Sequence, residues 1–210
     1  MQIKYKVTIF IQLFVVLSGV YAQNWDISIL RKTNNVESTK RFSTFISESA
    51  VYVELGTPLI LGAIALLEQD DVMLKNSLCI GATLAVNGIL TYGLKAVINR
   101  PRPYETYPAM VEPYRMQVTK SFPSGHASFA FALASSVSIK YPKWYIITPS
   151  YLWACSVGYS RMNLGVHYPS DVVAGAALGI GSAYFTHCLN SWIWNKLGNK
   201  SIFQKDEIWY

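Results

Sequence analysis

Hydrophobic positions fall in long blocks rather than in a period-two alternation. Five such blocks occupy residues 51–67, 77–98, 127–139, 145–159 and 172–189. Runs of this length, with few Gly-Pro turn signals inside them, predict helices rather than strands. The block at 77–98 carries one charge, Lys95. Its 22 residues span roughly 33 Å as a helix, enough to cross a bilayer core. The last block places Gly175, Gly179 and Ala183 four apart, a small-residue face for close helix packing in lipid. Tyr52, Tyr141, Trp144, Tyr145, Trp192 and Trp194 stand near block ends, as interfacial aromatics do. The expected fold is all-α: a polytopic membrane bundle of about five to six helices. A soluble helical bundle fits the shorter blocks nearly as well, but the 22-residue block and the last one less well.

Residues 1–22 have the pattern of an export signal. Lys4 and Lys6 precede a short apolar run, and Val20-Tyr21-Ala22 offers small residues where a signal peptidase reads. An uncleaved first membrane helix is the alternative. Either way residue 23 starts outside the cytoplasm. Counting crossings from there predicts an outside amphipathic segment at 23–50, a membrane core at 51–189 and a cytoplasmic tail at 190–210. The long connection 99–126 and the short one around 160–170 then share the outer face. Lys140, Lys143, Lys196, Lys200 and Lys205 obey the positive-inside tendency. Arg31, Lys32, Lys40, Arg41, Lys95, Arg100, Arg102, Arg115, Lys120 and Arg161 do not. Cations concentrated on the wrong side call for another explanation, and anion binding is the direct one.

Composition narrows the choice. Of 210 residues, 51% are hydrophobic and 14% charged, which excludes a disordered chain or a charged nucleic-acid arm. Cys79, Cys155 and Cys188 lie in apolar blocks without C-x-x-C spacing, and read as small buried residues. No spacing suggests a metal site, and Asp70-Asp71 reads as a solvated turn. The three histidines, His126, His167 and His187, are few enough that their positions are informative.

Two of them fall in the outer loops beside other reactive groups. In Phe122-Pro123-Ser124-Gly125-His126, Ser124 can cap the helix that follows. Gly125 admits a ligand close to the backbone, and the free N–H groups there suit an anion. In Ser160-Arg161-x5-His167-x3-Asp171, the four-residue separation lets Asp171 accept a hydrogen bond from one imidazole nitrogen of His167. The other nitrogen is left as nucleophile or base. In Lys95-x6-Arg102-Pro103, Arg102 sits between two prolines in a stiff arm suited to a fixed guanidinium. His187 reads as structural. Glu54, a carboxylate within an apolar block, needs either an interfacial position or a link to the site's cations.

Lys-x6-Arg-Pro, Pro-Ser-Gly-His and Ser-Arg-x5-His-x3-Asp together resemble the three-part signature of the type-2 phosphatidic acid phosphatase superfamily. That superfamily includes class A acid phosphatases and vanadium haloperoxidases. The likeness runs from Lys95 to Asp171, and with the surrounding helices over roughly 51–189. It implies an all-helical core with one phosphate pocket and neither metal nor cofactor. Within it, Lys95, Arg102, Ser124, Gly125 and Arg161 bind phosphate. His167 is the nucleophile that forms a phosphohistidine, Asp171 orients it, and His126 is the general acid.

The resemblance further implies a membrane lipid phosphatase of the bacterial inner membrane, its site facing the periplasm and its partners the bilayer and a phosphorylated lipid. Lipid A or undecaprenyl diphosphate lead; phosphatidylglycerol phosphate and phosphatidate follow. Competing expectations are a soluble exported acid phosphatase, a vanadate-dependent oxidase and a non-enzymatic anion-binding membrane protein.

Overall fold

A computed structural model of the protein describes residues 22–34, 36–196 and 202. The expected export signal, apart from Ala22, and most of the expected tail lie outside the described residues. Among the described residues the secondary structure is helical throughout. We number the helices α1 (Ala22–Asn34), α2 (Lys40–Glu68), α3 (Asp71–Ile98), α4 (Pro103–Thr106), α5 (Gly125–Lys140), α6 (Trp144–Asn163) and α7 (Pro169–Lys196). A single 3₁₀ turn, Glu37–Thr39, precedes α2.

Helices α2, α3, α5, α6 and α7 alternate in direction, joined by short turns at 69–70, 141–143 and 164–168 and by a long connection over 99–124. Gln69 ends α2 in the left-handed region at φ 54°. Asp70 then caps α3, its carboxylate accepting from Val72 N at 2.8 Å and Met73 N at 3.0 Å. The starts of α2, α5 and α7 therefore share one end with the finishes of α3 and α6. All three motif groups lie at that end.

Helix α5 is the central stave. Ala127, Ser128, Ala130, Ala132, Leu133, Ala134, Ser135 and Ser136 are buried along it. Its small side chains let α7 approach closely. A Cβ at Gly175 would stand 2.6 Å from the Ser124 carbonyl oxygen, and one at Gly179 would stand 2.2 Å from that of Ser128. With Ala183 buried below them, the small-residue face expected from the spacing meets α5.

Polar ties cross the same interior. Ser128 Oγ donates to Asn87 Oδ1 at 2.7 Å, Ser182 Oγ to the same oxygen at 3.3 Å, and Thr83 and Ser136 hydroxyls pair at 3.2 Å. Interhelical bonds of this kind contribute about 0.6–2 kcal/mol each in lipid.

The outer surface of the bundle is apolar. Leu59, Leu67, Ile89 and Val97 are 71–86% exposed, a distribution suited to lipid and not to water. Among the described residues, three stretches are long and apolar enough to cross a membrane: Glu37–Glu68, Asp71–Thr106 and Pro169–Ile193. The fold is that of a polytopic membrane bundle.

Two expectations change. Only Cys79 is buried; Cys155 and Cys188 are exposed on the bundle surface, where lipid accepts a thiol as readily as the core does. Helix α2 begins at Lys40, well before the apolar block at 51. Its charged first turns continue the helix above the apolar stretch and bury Ser43 and Ser47 toward the bundle's site end.

Candidate active site

Asp171, in the first turn of α7, is fully buried and satisfied on both oxygens. Arg100 Nη1 donates to Oδ1 at 2.6 Å. Ser121 Oγ donates to Oδ2 at 2.5 Å, and Tyr168 N donates to the same oxygen at 3.0 Å. His167, 2% exposed, presents Nδ1 to Asp171 Oδ2 at 3.6 Å. That is ion-pair distance and longer than a direct hydrogen bond, so the bond expected from the spacing is not closed in this conformation. The other ring nitrogen, Nε2, lies 3.3 Å from Arg102 Nη1. With the guanidinium donating to Nε2, that nitrogen carries the lone pair and Nδ1 the proton. Burial, reinforced by Arg102 and Arg161 and opposed by Asp171, pushes the imidazole down to about 3. His167 is thus neutral at ordinary pH, the form a nucleophile needs.

The cations of the motifs surround this pair. Arg102 is 2% exposed and held by backbone: Nε donates to Thr119 O at 2.7 Å, and Nη1 to Val166 O at 2.7 Å. Lys95, in the last turn of α3, donates to Lys120 O at 2.6 Å. The segment 119–120 is therefore gripped by the same side chains that would grip phosphate. Arg161, at the end of α6, is 4% exposed and donates through Nη1 to Ser47 Oγ of α2.

The α5 N-terminus completes the ring. Ser124 is its N-cap residue, extended at φ −68° and ψ 115°, and its N–H donates to Asp171 O at 2.9 Å. A Cβ on Gly125 would stand 3.9 Å from Lys95 Cε. Ser124 Oγ, Arg161 Nε and His167 Nδ1 are buried without a hydrogen-bond partner in the protein. His126, half-buried, lines with Arg161 and Ser47 a cavity of about 620 Å³. Its other walls are Phe45, Glu48, Ser49, Val51 and Tyr52 of α2 and the loop residues Tyr114, Arg115 and Gln117.

All eight candidate residues thus stand at one end of the bundle. Glu54 does not join them by any ion pair among the described residues; it is buried in α2 with Oε1 unpartnered. Four contributors escaped the sequence reading: Ser47, Arg100, Ser121 and Asp26. Arg100 was visible only as one of many misplaced cations. Ser121 stands next to the Phe-Pro-Ser-Gly-His run, a proximity that could have flagged it. Asp26 lies 74 residues from Arg100 in a stretch without a motif, so nothing local marked it.

The PAP2 superfamily model matches residues 76–195, more than half of the chain. The chain belongs to that superfamily, the one its three motifs resemble. Among similar proteins, the bacitracin transport permease protein BcrC of Bacillus licheniformis is 37% identical over 40% of this chain and 40% of its own length. A lipid A 1-phosphatase of Rhizobium etli is 33% identical over 46% of this chain and 43% of its own length. An undecaprenyl-diphosphatase of Sulfolobus acidocaldarius is 35% identical over 50% of this chain and 52% of its own. The aligned portion is thus about half the length of these relatives or less. The fold is shared with the transmembrane PAP2-type phosphatidylglycerolphosphate phosphatase of Bacillus subtilis, with TM-score 0.71 and 23% identity over 90% of this chain and 96% of that one.

Proposed function

We propose that this protein is an integral membrane phosphatase that removes phosphate from a phosphorylated lipid through a phosphohistidine at His167. The observation that carries the reading is the convergence of Lys95, Arg102, Arg161 and the α5 N-terminus on neutral, buried His167, with His126 on the wall of the adjoining cavity. Three cations and free N–H groups at one point stabilise the charge that phosphoryl transfer spreads over its equatorial oxygens.

An entering phosphoryl group draws the Arg102 N–H away from His167 Nε2 and frees its lone pair. The Nε2–P bond forms as the P–O bond to the lipid breaks; His126, which burial and the neighbouring Arg161 hold neutral in the free protein, gains a proton as the negatively charged phosphate enters and gives it to the departing oxygen. Asp171, 3.6 Å from Nδ1, closes onto its N–H and balances the charge gained by the ring. Water then attacks phosphorus, His126 takes its proton, and the N–P bond breaks. No step calls for a metal.

Phe45, Val51 and Tyr52 line the cavity and are exposed on the bundle's lipid-facing side, so a lipid's phosphate can enter while its tail stays in the bilayer. Lipid A and undecaprenyl diphosphate lead as substrates because relatives named for them align with this chain. Phosphatidylglycerol phosphate and phosphatidate follow. The site faces the periplasm from the bacterial inner membrane, with the region before the bundle serving export.

The test is purified full-length protein incubated in EDTA with these four lipid phosphates, following phosphate release. Release unaffected by EDTA and abolished in His167→Ala is expected. Wild-type protein that releases phosphate from none of them would overturn the proposal.

A further inference from the structure

Helix α1 precedes the segment shared with the superfamily, yet it sends a carboxylate to the edge of the site. Asp26 is fully buried. Its Oδ2 accepts from Arg100 Nη2 at 2.9 Å and from Ser170 Oγ at 2.5 Å, and its Oδ1 accepts from Ser170 N at 2.9 Å. Ser170 N is one of the N–H groups that α7 leaves free at its start, so Asp26 caps α7 from another helix. The guanidinium it holds has a second partner: Arg100 Nη1 donates to Asp171 Oδ1 at 2.6 Å and to Ser170 Oγ at 2.8 Å. The same guanidinium lies 4.0 Å above the Tyr168 ring. One planar cation thus bridges two buried carboxylates on two helices.

We propose that Asp26 is a positioning residue for the reaction: through Arg100 it fixes the Asp171 carboxylate and, with it, the orientation of His167. A purely architectural role is already filled. Leu30 is fully buried against Val111 and Tyr168, and Asn34 binds Glu112 O at 3.0 Å, Asn163 O at 3.0 Å and Glu112 N at 3.1 Å. A buried carboxylate is costly unless paired, and this one is paired to the arginine that also holds Asp171. Removing its charge leaves Arg100 with one anionic partner, so the guanidinium turns toward Asp171 and shifts its oxygens relative to His167 Nδ1.

The inference rests on the phosphatase reading for its kinetics but not for its spectroscopy, so the two can fail separately. Asp26→Asn, Arg100→Gln and the double variant of the full-length protein are assayed for kcat and KM on a lipid phosphate that wild type hydrolyses. The His167 ring is followed in ¹⁵N-histidine-labelled protein, its signal assigned by loss in His167→Ala. Asp26→Asn is expected to lower kcat about tenfold to hundredfold with KM within about twofold, the pattern of a group acting one step from the reacting atoms. The double variant is expected to be no worse than Arg100→Gln alone, because the two residues act in series. The His167 ¹⁵N signal shifts in Asp26→Asn. Arg100→Lys keeps the charge but cannot hold two carboxylates at once, and gives the same kcat loss if Asp26→Asn does not fold. Wild-type kcat in a folded Asp26→Asn or Arg100→Lys protein overturns the proposal, as do losses that multiply in the double variant. An unmoved His167 signal overturns it even if no lipid tried is hydrolysed. A shifted signal in a protein that hydrolyses nothing supports the positioning and removes the phosphatase reading instead.

Discussion

Ser124 and Asp171 are joined through their backbones: the Ser124 N–H donates to the Asp171 carbonyl at 2.9 Å. The start of α5 and the first turn of α7 are therefore one structural unit. It brings the start of α5 and the carboxylate beside His167 into fixed register. Small displacements of α7 along α5 should accordingly be felt in catalysis before they are felt in overall folding.

Gly175→Ala tests that coupling. The added Cβ meets Ser124 O at 2.6 Å, backbone that cannot rotate away, so α7 must shift. The expected cost is about 1–3 kcal/mol of stability, typical of overpacking. A fall in kcat with little change in KM should accompany it. Thermal unfolding in detergent together with steady-state kinetics measures both; unchanged kcat with lowered stability would count against the register argument. Gly181→Ala is the control, because a Cβ there meets nothing within 4 Å.

The depressed basicity of His167 has a pH signature. Its imidazole is shifted from 6.5 to about 3 by burial, with help from the neighbouring arginines. The unfolded chain therefore binds a proton at higher pH than the native state does. The contribution of this group to stability is full above 6.5 and declines as pH falls from there toward about 3. In ¹⁵N-histidine spectra the His167 ring should stay neutral from pH 8 to pH 5. A midpoint near the ordinary value would show that the site does not desolvate it as described.

Arg161→Lys separates charge from geometry. The guanidinium reaches Ser47 through Nη1 and keeps Nε free beside the cavity. Lysine preserves the charge without the planar fork. A loss of about 10²-fold in kcat is expected, the scale of removing one oriented donor from a developing oxyanion. Ser47→Ala, which leaves the fork intact but untethered, should cost less. Equal activity of Arg161→Lys and wild type would mean that Arg161 acts as a point charge only.

Arg31, Lys32 and Arg41 are exposed at the site end of the bundle, while Lys40 is tied to Glu37 at 2.7 Å. If the first three lie over head groups, changing them to Gln should weaken binding to anionic vesicles by roughly 1 kcal/mol per charge at low salt. The expected effect is on KM for vesicle-borne substrate. Unchanged kinetics in anionic vesicles would remove the idea.

Much of this arrangement is legible in the sequence, and the pattern of what is not has a physical basis. Helices α3, α5, α6 and α7 follow from apolar blocks because lipid imposes length and hydropathy on any spanning segment. Lys95, Arg102, Ser124, Gly125, His126, Arg161, His167 and Asp171 stand out because short spacings place reactive groups on shared turns. The upper half of α2 is hidden by its polarity, since Ser43 and Ser47 are buried in the bundle, Ser47 against Arg161. Asp26 is hidden because its partner lies on another helix, and no local spacing records a tertiary contact. Cys155 and Cys188 mislead for a related reason: in a bilayer, outward-facing and core positions are equally apolar, so composition does not tell them apart.

The reach of the Asp26 contacts bears on how the protein is made. Asp26 leaves the ribosome 144 positions before its partner Ser170. Arg100 arrives between them and has to wait for Asp171, 71 positions on. No nascent chain can close the site before α7 is in place. The ring of contacts around Asp171 thus closes only once α7 has packed against α1 and α5.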